Sequence, residues 1–327
     1  TFNSNGSYSF DAGNAAYQHL AQGETTNVVA SYTVTDQYGA SSASTLTITL
    51  TGANDAPVVA TVDVTGAVTE ALTPLGNLSD SGTIAFSDVD LTDVHSVSAV
   101  TPSAGALGSL TASVTADTTG SGLGGVVTWN YSVAASAVEF LAAGQTRVET
   151  FTFNVEDGQG GSVPRSVSVT ITGTNDAPDI QMVTTDSAAA SLAETNTTLS
   201  ASGTLTVTDA DTTDTVPPSV TGVTLAGATG GLSAADVLAM LTVSPTSGLA
   251  ANSGDAHNLT WSFNSGAQAF DFLGAGQSLT LNYTVQSSDN NAASDTQVVS
   301  VVVIGSNDAA LDLVFTSTAV AGNSLPN

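Results

Sequence analysis

Two short aspartate pairs hold the most distinctive chemistry in the chain. Asp88-Val-Asp90 and Asp209-Ala-Asp211 each follow an alternating stretch, Thr83-Ile-Ala-Phe86 and Thr204-Leu-Thr-Val-Thr208. Alternation of this kind reads as a strand, so both carboxylates of a pair leave the strand end on the same side. Like charges that close repel unless a cation lies between them. Calcium, which takes roughly six to eight oxygens from carboxylates, amide carbonyls and backbone, would draw several from one such pair. Each pair also lies a fixed distance beyond an Asn-Asp step, Asn54-Asp55 or Asn175-Asp176 (88 − 54 = 34; 209 − 175 = 34), and each is followed by a further acid in a turn, Asp157 or Asp289. The bland reading is that Asp and Asn are common in solvated turns. The recurrence favours ligands from one linker and one domain converging on a cation.

Other chemistry finds little support. His19, His95 and His257 occupy non-equivalent positions with no second His or Cys nearby, so surface or turn placement is expected, and neither a zinc site nor a Ser-His-Asp triad. Acid pairs such as Glu156-Asp157 could serve glycoside hydrolysis only in a cleft that the sequence does not provide. Gly120-Ser-Gly-Leu-Gly-Gly125 has no Lys-Ser/Thr ending and no helical pattern after it, so it reads as a hairpin loop and not a phosphate cradle. The six Asn-x-Ser/Thr sequons, Asn130 and Asn258 among them, are what chance supplies in a Ser/Thr-rich chain. The chain is therefore expected to be no enzyme.

Composition narrows the partners. Only 2 Lys and Arg stand against 29 Asp and Glu in 327 residues, a formal net charge of −27 that repels nucleic acid and anionic membranes and favours cations. Charged residues are 9% and apolar ones 41%, which argues for folded domains with Ser, Thr, Asn and Gly surfaces and against a disordered acidic tail. Cysteine is absent, so stapling must come from packing or from oxygen-ligated ions. No apolar run is long enough to span a bilayer, and an export signal is expected to lie outside this segment.

The elements that must position the acids are repeated. Gly52-Ala-Asn-Asp-Ala-Pro57 returns as Gly173-Thr-Asn-Asp-Ala-Pro178 and as Gly305-Ser-Asn-Asp-Ala-Ala310 (173 − 52 = 121; 305 − 173 = 132). Asp36, Asp157 and Asp289 keep the same steps, as do Leu20, Leu141 and Leu273, and Tyr8, Trp129 and Trp261. A fixed period means one structural unit in series. Residues 1–56 read as the second half of a repeat, 57–177 as a complete one, 178–309 as a complete one with an insertion between Asp211 and Trp261, and 310–327 as the start of another or a tail. Such a chain reads as a window cut from a longer one.

Leu46-Thr-Ile-Thr-Leu-Thr51 and Val167-Ser-Val-Thr-Ile-Thr172 alternate strictly, with Leu46, Ile48 and Leu50 facing a core. Similar runs at 28–35, 151–155 and 279–285, with Gly, Asn and Asp turns between them, predict all-β sandwiches of about seven strands per repeat. The aromatics Tyr8, Trp129 and Trp261 are expected to anchor each core. In the insertion, Leu232–Leu241 has helical spacing. In the last strand Val302 and Ile304 replace outward threonines, so both of its faces are apolar, and a neighbouring domain or another chain is expected to cover the second.

Three motifs together, Gly-x-Asn-Asp-Ala-Pro at repeat ends, a strand followed by D-x-D, and Val155-Glu-Asp-Gly-Gln-Gly-Gly161, make the chain resemble the VCBS-type, cadherin-like repeats of large bacterial adhesins, often of the RTX type. The resemblance implies tandem Ig/cadherin-like Greek-key β-sandwich domains in an extended array, with calcium as cofactor. Cadherin-type junctions use a Glu near the start of one domain, the Asn-Asp linker, and the D-x-D and later Asp of the next. Carried over, the first junction uses Asn54, Asp55, Asp88, Asp90 and Asp157, and the second Glu70, Asn175, Asp176, Asp209, Asp211 and Asp289. Glu194, Asn307 and Asp308 form half of a third. Gly52 and Gly173 stand where cadherins carry a linker acid, and Ala56 and Ala177 where they carry an Asn, so fewer ions per junction are expected. Ala310 replaces the linker proline of the last junction. The implied role is an extracellular, calcium-stiffened structural region of a bacterial adhesin. Its partners would be calcium and the neighbouring repeats, with other copies of the chain as partners if it is instead a subunit of a self-assembling matrix filament.

Overall fold

Alternation along the chain becomes nineteen strands in the computed structural model, which describes residues 1–308; the Ala310 substitution and the 310–327 segment lie outside the described residues. The chain divides into two compact units, Thr1–Asp176 and Ala177–Asn327.

In the first unit β1 (Thr25–Thr35) and β2 (Ser41–Thr51) pair antiparallel from Thr25↔Thr51 to Thr35↔Ser41. Their turn is closed by Asp36, whose Oδ1 accepts from the amides of Tyr38 (2.8 Å) and Ala40 (2.9 Å). Leu46, Ile48 and Leu50 share one half-buried face of this two-stranded sheet. Tyr8 departs from expectation. It is 53% exposed, its ring beside Phe2, because among the described residues β1 and β2 pair with no further strand to close a core over it.

The rest of the unit is a sandwich. Its strands are β3 (Val58–Val62), β4 (Thr65–Thr69), β5 (Asn77–Ser87), β6 (Ser96–Val97), β7 (Thr101–Pro102), β8 (Ser109–Ala116), β9 (Gly125–Ala134), β10 (Thr146–Glu156) and β11 (Ser162–Thr172). One sheet runs β3-β5-β9-β8 and the other β4-β11-β10-β6, with β7 also on β10. The inward residues of every second position, Ile84, Trp129, Tyr131, Phe151, Val169 and Ile171 among them, are fully buried between the sheets. The Trp129 indole N–H donates to the Asp63 carbonyl at 2.6 Å, so its polar end is satisfied inside the core. The glycine-rich stretch is the loop between β8 and β9, which pair antiparallel.

The second unit repeats the plan with β12 (Asp179–Gln181), β13 (Ala189–Ala193), β14 (Ser200–Thr208), β15 (Pro218–Gly227), β16 (Leu241–Ser244), β17 (Leu259–Asn264), β18 (Ser278–Ser288) and β19 (Ser294–Ile304). Its sheets are β12-β14-β17-β16 and β13-β19-β18-β15, and Trp261, fully buried, donates to the Ser187 carbonyl at 2.6 Å. The inserted stretch folds as α1 (Ala234–Val237) and a 3-10 turn (Leu238–Met240), started by a capping box between Ser233 and Asp236. On β19 the outward Val298 and Ile304 are 49% and 45% exposed within the chain.

One topological detail decides where the acids go. In each sandwich the opening segment splits: β3 and β12 pair antiparallel in one sheet, while β4 and β13 join the other and run parallel to its strands β11 and β19. The residue after β4 is Glu70 and the residue after β13 is Glu194. Their amides continue the ladder to Thr172 O (2.9 Å) and Ile304 O (2.7 Å). Parallel pairing thus delivers each Glu to the repeat-end Gly-x-Asn-Asp, which is about 100 residues away in sequence.

Candidate metal centre

In the first unit, β5 ends at Ser87 and the chain turns through Asp88, Asp90 and Asp93. All three acids are buried, as is Asp157 in the turn between β10 and β11. Carboxylate oxygens of Asp88, Asp93 and Asp157 lie within 4.8 Å of one another. The repeat-end residues close the group: Asn54 Nδ2 donates to Asp157 Oδ2 (2.9 Å), and the Asp55 amide donates to Asp90 Oδ2 (2.8 Å). Asp90 N donates to Asp88 Oδ1 (3.0 Å), and Asp157 Oδ1 is fixed by the amides of Gln159 and Gly161. Of the residues expected at the first junction, the Asn54, Asp88, Asp90 and Asp157 side chains therefore lie together, and Asp55, itself exposed, joins them through its backbone amide.

The chemistry of the group is acceptor-rich. Asn54 Oδ1, Asp90 Oδ1 and Asp93 Oδ2 are buried with no hydrogen-bond partner. Such orphaned acceptors each cost about 1–3 kcal/mol or more when charged. The two arginines are engaged elsewhere, Arg147 with Glu149 and the Gly105 carbonyl, Arg165 with the Pro164 carbonyl. Burial pushes the Asp93 carboxyl up to about 6, helped by repulsion from Asp90, Asp157 and Asp88. Asp90 is raised too, by burial first and by repulsion from Asp55, Asp88 and Asp157, against one backbone hydrogen bond that lowers it. Asp157 goes the other way: burial would raise it, but the Asn54 amide and backbone N–H groups outweigh that. An oxygen-preferring divalent cation fits this donor set and would remove the repulsion.

A second acidic group in the same unit joins Glu70, Glu139 and Asp176, whose ligand oxygens also lie within 4.8 Å of one another. Glu70 is buried and its Oε2 accepts from the Thr174 amide at 2.7 Å. Asn175 Nδ2 donates to the Asp176 carbonyl (2.8 Å), and burial raises the Asp176 carboxyl.

In the second unit Asp209, Asp211, Asp214 and Asp289 are all buried. Asp211 N donates to Asp209 Oδ1 (2.9 Å), Asn291 Nδ2 to Asp214 Oδ2 (3.3 Å), and the Asn291 and Ala293 amides hold Asp289 Oδ1. Asp209 Oδ2 has no hydrogen-bond partner, and burial, with repulsion from Asp211, Asp214 and Asp289, pushes this carboxyl up to about 6. Glu194 is buried and takes the Ser306 amide and hydroxyl on Oε2, whereas Asn307 and Asp308 are exposed. The residues expected at the second junction thus fall into two sets, Glu70, Asn175 and Asp176 in the first unit and Asp209, Asp211 and Asp289 in the second.

Sequence reasoning passed over Asp93, Asp214 and Glu139. The signal existed: Asp93 and Asp214 are 121 apart, inside the register that already paired Asp88 with Asp209, and Glu139 matches the acid Asp271 at the 132 step. It also misplaced one histidine. His95 is not at the surface but only 5% exposed, packed on the Phe86 ring with its nitrogens facing Asp88 and Asp117, because the acid turn folds it inward. His19 is exposed, and the His257 side chain is 39% exposed beside Asp186.

No family model matches the chain, and no curated protein does. Among solved structures it is similar to cadherin ectodomain fragments. Protocadherin gamma C5 EC1-3 matches at 14% identity over 91% of this chain and 81% of its own, with a TM-score of 0.41. PcdhgB3 EC1-4 matches at 14% over 86% of this chain (TM-score 0.35), and this chain spans 58% of its length. Mouse cadherin-23 EC22-24 matches at 15% over 77% and 67% (TM-score 0.36). The two-sheet sandwiches stand on their own strand pairing, and the acidic site on its own side chains.

Proposed function

We propose that the chain is a non-catalytic stretch of extracellular structural repeats, of the VCBS-type, cadherin-like class of large bacterial adhesins, that calcium stiffens for cell-surface or biofilm adhesion. The observation that carries this reading is the buried, acceptor-only group of Asp88, Asp90, Asp93 and Asp157, whose Asp90 Oδ1 and Asp93 Oδ2 have no hydrogen-bond partner. Asn54 and Asp55 would complete that ion set. Glu70, Glu139, Asn175 and Asp176, and Asp209, Asp211, Asp214 and Asp289, would hold further ions, with Glu194, Asn307 and Asp308 beginning another. Calcium supplies charge neutralisation and oxygen coordination, so segments that repel one another without it become fixed.

Extracellular modules bind calcium at about 10⁻⁴ to 10⁻³ M, a range in which the repeats stay loose inside a cell and stiffen after export. Small-angle scattering of the full chain with calcium and with chelator tests the reading. The expected result is a more extended, less variable particle in calcium; identical profiles overturn it.

A second reading, a subunit of a self-assembling matrix filament, is favoured by exposed apolar side chains on Phe2 and Tyr8 and on the outer face of β19. Electron microscopy of native material separates the two: ordered fibres support the filament, isolated chains the spacer.

A further inference from the structure

We propose that His95, itself held by Asp117, is the positioning residue for the Asp88 carboxylate in the first unit's cation site. This rests on the calcium reading above. The ring is buried and lies between two acids: Nε2 is 3.1 Å from Asp88 Oδ2 and Nδ1 is 2.7 Å from Asp117 Oδ1. Asp117 grips the same residue twice, since its Oδ2 also accepts the His95 amide at 3.0 Å. It cannot drift, because the Thr118 amide donates to its Oδ1 at 2.7 Å. The ring therefore has a fixed plane, and its Nε2 is held against Asp88 Oδ2.

The same β8–β9 loop holds the rest of the acid turn through backbone atoms. Asp88 N donates to Gly122 O (3.1 Å), Gly120 N to Leu91 O (2.7 Å) and the Thr119 hydroxyl to Asp93 O (2.7 Å). Those contacts place the turn; His95 alone among them touches a ligand's carboxylate oxygen. A partner outside the ligand shell that orients a ligand in this way is worth about 10- to 100-fold in metal affinity.

The second unit supplies the comparison. Its acid turn aligns residue for residue, and the position matching His95 is Val216 (216 − 95 = 121), fully buried. There Asp209 Oδ2, the counterpart of the oxygen that His95 holds, has no hydrogen-bond partner. A sandwich of this plan thus folds with valine at the position, which separates the packing role of His95 from its role toward Asp88.

The test is a calcium chloride titration of the full chain followed by the backbone amide signals of Asp90 and Asp211, one reporter per unit. In H95V the Asp90 midpoint is expected to move to about tenfold higher calcium or more, with Asp211 unmoved. H95Q, which offers a side-chain N–H donor toward Asp88, is expected to recover most of the loss. D117N, which leaves the ring in place but weakens its anchor, is expected to shift Asp90 by a smaller factor and serves if H95V does not fold. An Asp90 midpoint within about twofold of wild type in H95V, or H95Q as weak as H95V, overturns the positioning role while leaving the calcium site standing. If neither amide of the wild-type chain responds up to about 10 mM calcium, beyond the usual extracellular range, the calcium reading falls and this inference with it.

Discussion

Asp90 shows at the scale of one residue what a bound cation would relieve. One oxygen is taken by the Asp55 amide, the other is buried with no hydrogen-bond partner, and Asp55, Asp88 and Asp157 repel the charge. Replacing it by asparagine removes a ligand charge and relieves that repulsion. D90N is therefore expected to lose calcium affinity by about tenfold or more while its melting temperature in chelator stays level or rises; calorimetric titration and thermal melts check both halves. The pH dependence has a definite sign. Asp93 and Asp209, raised by burial to about 6 from an ordinary 3.8, bind more protons folded than unfolded between those values. In chelator, stability is thus expected to fall as pH rises from about 4 to 7, measured by urea unfolding. Asp186 acts in another window: burial would raise it, but hydrogen bonds from His257, Thr206 and Thr204 hold it at about 2, so its contribution is lost only as pH falls below about 4.

At the scale of elements, each sandwich lays a glycine directly against its core tryptophan. Gly82 pairs with Trp129 across β5 and β9, and Gly203 with Trp261 across β14 and β17. An added Cβ would meet the Trp129 ring at 2.6 Å, or the Trp261 ring at 2.7 Å and the Ser187 carbonyl at 2.8 Å. The backbone carbonyl cannot swing aside as a side chain can. G82A and G203A are each expected to destabilise their unit by about 1–3 kcal/mol, with G203A the worse, read from denaturant midpoints. Their positions, 121 residues apart, could be found by repeat alignment, but the reason for glycine there could not.

For the whole molecule, the excess of 29 acids over 2 basic residues leads us to expect that stability follows the cation supply. A ligand that binds only the folded state stabilises by about 2.7 kcal/mol at 100 times its dissociation constant. For units of this size that amounts to about 5–10 °C per saturated site. Millimolar calcium is accordingly expected to raise the melting temperature by at least several degrees over chelator, and magnesium, which holds its waters and demands octahedral geometry, by less. Differential scanning calorimetry decides it; equal melts in calcium and chelator would sink the cation reading.

The sequence alone determined the period, the all-β class and the strand ends that carry Asp88-Val-Asp90 and Asp209-Ala-Asp211, because side-chain alternation and repeat spacing are local properties of a chain. It reached Trp129 and Trp261 as core anchors for the same reason, and failed at Tyr8, where alignment says nothing about how many strands surround a residue. What only the tertiary structure decided is long-range. The parallel pairing of β4 on β11 brings Glu70 to Thr174, Asp117 of the β8–β9 loop holds the inward-folded His95 beside Asp88, and Glu139 comes to lie beside Asp176. Each depends on which strand lies next to which, and backbone hydrogen bonds between distant segments leave no mark on the pattern of either segment alone.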